Sequence, residues 1–464
     1  MSLYKQTQRI HLASIFMVCT IVQAIHGFGT ITRNDPFPVF TTLDPHTFLY
    51  TREKSLLKGW PLEKERKEYA QLSISPFGQN AKTARDINNN DVEIGDLDGR
   101  WDMLTLLFGP TPAGRTLPPA LLLARQEIFP TIPAGTIINN DAIVDTINKQ
   151  VGFISIPVKY RKRGIRLEIE GQILGDFGLQ FHGGIANICQ TRTFEPFPTA
   201  VYTTNVNTTC ITFPDVCQIN KNLVDQVCVI AKQLGLNIDN FDELSMEDLW
   251  FFLYWRHAHP VNFNRDESWP KLLVIPFFRI GGSVAVGKDK KPCEAFGLPF
   301  GNNGSNGVMA NAGINFDFAD TIEVGGEAGY AHYFEHDFCD FRIPTSCFQS
   351  GIYPFGTDVT INPGATWYFG AKMTAYHFID RLSFYFEYII VHHLNDHIKL
   401  LCCDPAFRPQ QLEDRSDWKV QLFNAAFNYD ISPNIGLGVL WQQPLAWRNA
   451  YKSTTLMFTF YATF

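Results

Sequence analysis

Histidine and carboxylate come close together twice in the second half of the chain. His332 and His336 stand beside Asp337, and His392, His393 and His397 stand around Asp396. Imidazole with carboxylate is a ligand set for zinc, copper or nickel. His332, His336, His392 and His397 are therefore the metal candidates. Their spacing follows no metal motif, and a wet polar rim accounts for them better. The expectation is no metal and no cofactor. Gly-x-Ser-x-Gly, a phosphate-cradling glycine loop and His-Glu-x-x-His are all absent. The glycine-rich stretch Gly301–Gly307 leads into an alternating pattern rather than the helix that phosphate binding needs. A lipid-hydrolase reading would cast His392 as a base, but no serine stands out as its partner. No catalytic residue is expected.

A second set of polar residues sits inside otherwise apolar stretches. Arg166, Glu168, Glu170, Arg279, Asp317, Glu323, Glu327, Lys372, Glu387 and Lys419 all fall in segments of alternating hydropathy. Charges deep in strands point to a solvated or paired interior face. Six of these are acids and four are bases, so a lumen that they line would weakly favour cations.

The elements that must position these charges are strands. From Gly307 onward apolar residues recur at every second position, as in Val308, Ala310, Ala312, Ile314, Phe316 and Phe318. Ile322 to Tyr330, Trp367 to Ala375, Leu382 to Ile390, Phe423 to Tyr429 and Ile435 to Trp441 repeat the pattern. Short turns join them in pairs, at 319–321, 378–380 and 430–434. Long joints lie between the hairpins, over roughly 288–306, 336–363, 395–416 and 442–452. Upstream, Ile154 to Tyr160 alternates, Arg161-Lys162-Arg163-Gly164 reads as a turn, and Ile165 to Ile185 reads as one long strand. A break at Gly175-Asp176 is the alternative. Leu272 to Gly287 must run in the same direction as Ile165 to Ile185. A returning strand is therefore needed between them, and Leu249 to His257 (LWFFLYWRH) supplies it. A helix capped from Ser245 competes for that segment. Tyr69 to Phe77 completes a set of 12, within a range of 10–14.

The termini agree with a membrane setting. Lys5 and Arg9 precede an apolar run from Leu12 to Ala24, with Val22 and Ala24 placed for cleavage. That is the pattern of a signal peptide, 1–24. Its loss takes the formal charge from −7 to −9, which gives no electrostatic case for nucleic acid. Ten cysteines become nine without Cys19. Cys339 with Cys347, and Cys210 with Cys217, are short-loop disulfide candidates in an exported chain. The chain also carries 39 phenylalanines.

The last residues, STTLMFTFYATF, place Leu456, Phe458, Phe460, Ala462 and Phe464 on one face. This end resembles the closing strand of Gram-negative outer-membrane β-barrels. In that family the insertion machinery reads a C-terminal aromatic and the alternating apolar residues before it. Ala462 is smaller than the pattern usually has. The resemblance implies an all-β, antiparallel, up-and-down transmembrane barrel, porin-like, in the outer membrane. The expected layout is a periplasmic lead-in over 25–68 and a barrel over 69–464. Inserts are expected over 78–150 and 188–248, with helices near 101–108, 119–128 and 223–234. Its partners would be the lipid bilayer, the assembly machinery, small solutes and, in an oligomer, further copies of itself. The expected function is passive passage of small hydrophilic solutes. A non-conducting surface barrel whose inserts bind a partner, and a soluble secreted β-protein, are the alternatives.

Overall fold

The computed structural model describes residues 70–464 apart from 118, 129–152, 175, 197–215, 262–270, 320, 348, 380, 403 and 433. The signal segment and the lead-in lie outside these residues.

Twelve antiparallel strands close into a barrel. In chain order they are β1 (Ala70–Ala81), β2 (Val158–Leu174), β3 (Phe177–Arg192), and β4 in two segments (Phe241–Met246 and Leu249–Arg256). Then follow β5 (Leu272–Val284), β6 (Gly307–Phe318), β7 (Ile322–Tyr333), β8 (Thr366–Ile379) and β9 (Leu382–His393). β10 (Trp418–Ser432), β11 (Ile435–Arg448) and β12 (Thr454–Thr463) complete the set. Each pairs with its chain neighbour, and β12 returns to β1 with Thr463 opposite Gln71. At that seam Ala70 and Phe464 exchange both backbone hydrogen bonds at 3.0 Å. The barrel has no open strand edge, which is the condition for strands to sit in hydrocarbon.

The alternation has the physical meaning that the sequence suggested. Outward positions from β1 round to β12 are apolar and exposed, among them Ile165, Leu167, Ile169, Phe251, Ile280, Phe316, Phe369, Phe427, Trp441, Phe458 and Phe460. A water-soluble protein rarely exposes a contiguous apolar patch beyond a few hundred Å². A band that circles the whole barrel is a lipid-facing belt. On β9 the outward Phe384 and Phe386 are half-buried and meet Phe427 and Phe423 of β10.

Four of the connections at one rim are tight hairpins. Ala319 and Arg381 lie at two of these turns and take positive φ, 50° and 61°. The opposite rim carries the long segments, including 285–306, 334–365 and 394–417. The last joint is short, because β11 runs on to Arg448 and leaves only 449–453.

Two expectations about the first strands need correction. Arg161–Gly164 is not a turn but part of β2, paired along β1 from Arg161 opposite Asn80 to Gly164 opposite Phe77. Gly164 is required there: a Cβ would collide with the Ile185 carbonyl oxygen and the Phe77 ring. The turn falls instead after Leu174, at Asp176. Register explains the misreading. Odd residues of β2 lie opposite odd residues of β3, as Ile169 does with Phe181. The two-residue hairpin pairs Leu174 with Phe177, and the register shift between Gln172 and Leu174 restores the parity of the apolar set, so continuous strand and hairpin read alike. The inserts also shrink, because β1 continues to Ala81, β3 to Arg192, and Phe241–Met246 is already strand.

The inserts form an outer cap. Helices α1 (Met103–Phe108), α2 (Pro119–Ile128) and α3 (Val216–Gln233) appear where the helical expectation put them, with α3 starting earlier. Leu106, Leu107 and Phe108 of α1 and Leu223, Val227 and Ile230 of α3 share an apolar core with Ile154, Ile156 and Phe296. A small sheet of His336–Arg342, Gly356–Asn362 and His397–Leu400 packs beside them. Cys339 and Cys347 are both free and exposed, so this short-loop disulfide is not formed. Cys210 lies outside the described residues.

Candidate functional site: the charged lumen

Inward positions alternate with the belt, and they are where the charges go. On one wall β2 presents Lys162, Arg166, Glu168 and Glu170. Glu247, at the break inside β4, receives Lys162 Nζ at 2.8 Å and Arg166 Nε at 2.8 Å. Arg166 also lies over the Phe77 ring at 4.5 Å. Gln180 of β3 donates to Glu168 at 2.6 Å, and His182 Nδ1 stands 3.7 Å from the same carboxylate. Two cations hold one buried carboxylate here, an arrangement in which removing one partner is costly.

The facing wall spans β5 to β10. Arg279 donates through Nε to Asn311 at 2.9 Å and through Nη1 to Gln180 at 3.1 Å, so it ties the two walls together. Asp317 is directly opposite Glu323 in the β6–β7 register. Tyr376 donates to Glu323 at 3.1 Å. Lys372 is directly opposite Glu387, and Asn424 donates to Glu387 at 2.9 Å. Lys372 Nζ also lies 5.1 Å from the Phe277 ring centre. Among the described residues, Asp317, Glu323, Glu327 and Glu387 share this inward wall with two bases, Arg279 and Lys372, and all six are buried.

Nearer the long-loop rim the same strands turn apolar inside. Trp250, Phe252, Tyr333, Tyr368, Ile389, Val391, Trp418, Val420 and Leu422 form one buried cluster. On β5 to β10 the lumen thus has a charged tier toward the hairpin rim and an apolar collar toward the cap, while the Glu247 bridge lies on the cap side of Trp250 in β4. Above the collar, His393 Nδ1 meets Thr366 Oγ1 at 2.8 Å and His393 Nε2 meets Asp396 Oδ1 at 2.9 Å. Hydroxyl, imidazole and carboxylate follow in the order of a hydrolytic triad. Yet Thr366 and His393 are fully enclosed, and Asp396 also takes the Gly364 N–H at 2.9 Å. The group works as a strut that holds the roots of two loops together.

The cap is fastened to the barrel at Asp248, next to Glu247. Its carboxylate accepts the backbone N–H groups of Val286 and Gly287 at 3.1 Å each and of Asn302 at 2.5 Å. This pulls 285–306 over the mouth, where Phe300, Asn302 and Asn303 are buried. Burial and the nearby Asp248 carboxylate push the Asp289 carboxyl up to about 7.

Lys419 does not face the lumen. In β10 the buried alternation runs through Trp418, Val420, Leu422 and Asn424, which puts Lys419 on the outward face with Phe423. There it is opposite His392 and Arg448, and Arg448 pairs with Asp417. The histidines are not gathered. His332 and His392 lie on outward positions of β7 and β9. His336 and His397 belong to outer strands of the small sheet, with Gly356–Asn362 between them. Among the described residues no three histidine, cysteine or acidic side chains are grouped to hold a metal. Sequence reasoning missed Lys162, Gln180, His182, Glu247 and Asp248. The acidic pair directly before the aromatic strand LWFFLYWRH was the available signal for the last two.

A closed strand cylinder with a lipid belt, an inward charged face and most of its long loops at one rim is an outer-membrane β-barrel. Leu456, Phe458, Phe460 and Phe464 are exposed outward on its closing strand, with Ala462 half-buried among them. No protein-family model and no curated protein matches the chain. Among solved structures it is similar to an outer membrane channel from Pseudomonas putida F1, at 9% identity and TM-score 0.46, over 87% of this chain and 98% of that one. It is also similar to the transport unit of the autotransporter AIDA-I from Escherichia coli, at 11% identity and TM-score 0.33, over 90% and 99%. The translocator domain of the autotransporter NalP from Neisseria meningitidis is another, at 8% identity and TM-score 0.33, over 91% and 98%.

Proposed function

We propose that the barrel provides passive passage for small hydrophilic solutes, with a weak preference for cations and no catalytic role. The observation that carries this reading is the inward wall of β5 to β9, where Asp317, Glu323, Glu327 and Glu387 outnumber Arg279 and Lys372. Rings of side-chain charge set ion preference in pores. Partners on this reading are the bilayer, small solutes, further copies of the chain, and the assembly machinery that reads Phe464. The test is the current carried by refolded mature chain in a planar bilayer under a salt gradient. Stepwise currents with a cation-selective reversal potential support it. Protease-protected insertion without current, or an anion-selective potential, overturns it. The ordered cap favours a second reading, a surface barrel that binds through its inserts, and absence of current would leave that one standing.

A further inference from the structure

The cap contains a cleft that the lumen does not use. It encloses about 240 Å³ and is walled by several separate insert segments together with Gln190 at the outer end of β3. An apolar cavity of about 150 Å³ takes a benzene ring, so this one has room for a ring with a short substituent. The apolar wall is rigid. Trp101 and Phe296 stack at 5.7 Å and 10°, and Phe194 tilts against both.

The polar wall has donors in excess. Arg342 gives its Nη1 to the Pro354 carbonyl at 2.6 Å and its Nη2 to the Leu234 carbonyl at 3.1 Å, while its Nε has no acceptor. Its ion-pair neighbour Asp340 stands at 3.6 Å and is more than half exposed. Such a pair is well screened and contributes little. Burial pulls the Arg342 guanidinium below its ordinary range, the sign of a desolvated cation short of negative charge. Gln190 is 2% exposed and its Nε2 likewise has no acceptor. Of the acids on the wall, Glu294 is engaged by Lys291 at 2.8 Å, and Asp98 is the other. Lys290 adds a further cation. Buried donors left without acceptors are costly, and an oxyanion with an apolar body would satisfy them once the Arg342 and Gln190 side chains turn into the cleft they line.

We propose that this cleft binds a small amphipathic carboxylate, its ring or short chain against Trp101 and Phe296 and its oxygens toward Arg342 and Gln190. The proposal stands apart from conduction, since a barrel that passes no current keeps the cleft. The test is isothermal titration of the refolded chain in detergent with phenylacetate, 2-phenylethanol and 2-phenylethylamine. Phenylacetate is expected to bind with sub-millimolar affinity, and the alcohol and the amine about tenfold or more weaker, as loss of a charge-assisted hydrogen bond implies. Arg342→Met is expected to weaken phenylacetate about tenfold. Because Arg342 also ties Pro354 to Leu234, Gln190→Leu is the second variant, with an expected loss of about threefold or more. Equal binding of acid and alcohol, no binding of phenylacetate at all, or full affinity in both variants would overturn the proposal.

Discussion

Two tiers share one lumen and are built to opposite rules. The charged tier is held by directional bonds, such as Arg279 on Gln180 and Asn311 and Asn424 on Glu387. The collar is held by packed rings and branched chains, with Trp250 stacked on Phe252 at 5.7 Å and 4°. The first tier can select by charge. The second can narrow and dewet a path without regard to charge, as hydrophobic constrictions do in channels. Selectivity and throughput are thus separable by position along the same strands.

The largest expected effect is at Glu247, on the cap side of the collar. Replacing it with alanine leaves Lys162 and Arg166 buried without their shared carboxylate. A loss of about 3–5 kcal/mol is expected, read as a lower urea midpoint for the folded barrel. Trp418→Ala in the collar follows, with about 3 kcal/mol lost on truncation. Its diagnostic readout is conductance, which should rise without any change in reversal potential. Glu327→Gln with Glu387→Gln should do the reverse, moving the potential toward neutral while current amplitude changes little. If the collar variant shifts selectivity as much as the acid variants do, the two tiers are not separate devices.

Smaller effects test the cap. Asp289 has its carboxyl raised to about 7 by burial and by Asp248. A raised acid favours the folded loop in its protonated form. That contribution is complete below the ordinary carboxylate range, about pH 4, and is lost as pH rises through about 7. Protection of the 285–306 amides relative to their intrinsic exchange rates should therefore be higher at pH 5 than at pH 8, and Asp289→Asn should flatten the difference. The smallest expected effect is at the opposite rim. Arg381 holds φ at 61°, where glycine carries no Cβ penalty, so Arg381→Gly should be neutral or stabilising by up to about 1 kcal/mol in urea unfolding.

The strand set was legible because lipid on one side and a polar interior on the other leave a period-two record in every strand. The hairpin between Leu174 and Phe177 was not, because the register shift beside its two-residue turn restores the parity of the alternation. Lys419 was misassigned for a related reason: near the rim, outward positions lose their apolar requirement, so a charge there no longer marks the inside. Glu247 and Asp248 were hidden because the break in β4 interrupts alternation at the point where both acids matter. The histidines carried no spacing rule, and their strands keep them on outward faces or across the middle strand of the small sheet.

By itself the sequence determined the barrel, its closing strand, the side of each strand that meets lipid and most of the inward charges, since each of these is a property of residues i and i+2. Only the tertiary structure decided which charges meet, that the collar lies above them, that Asp248 clasps 285–306, and that Gln190 and Arg342 line one cleft. Those relations join residues far apart in the chain, set by strand register and by packing of the inserts, and local alternation holds no record of either.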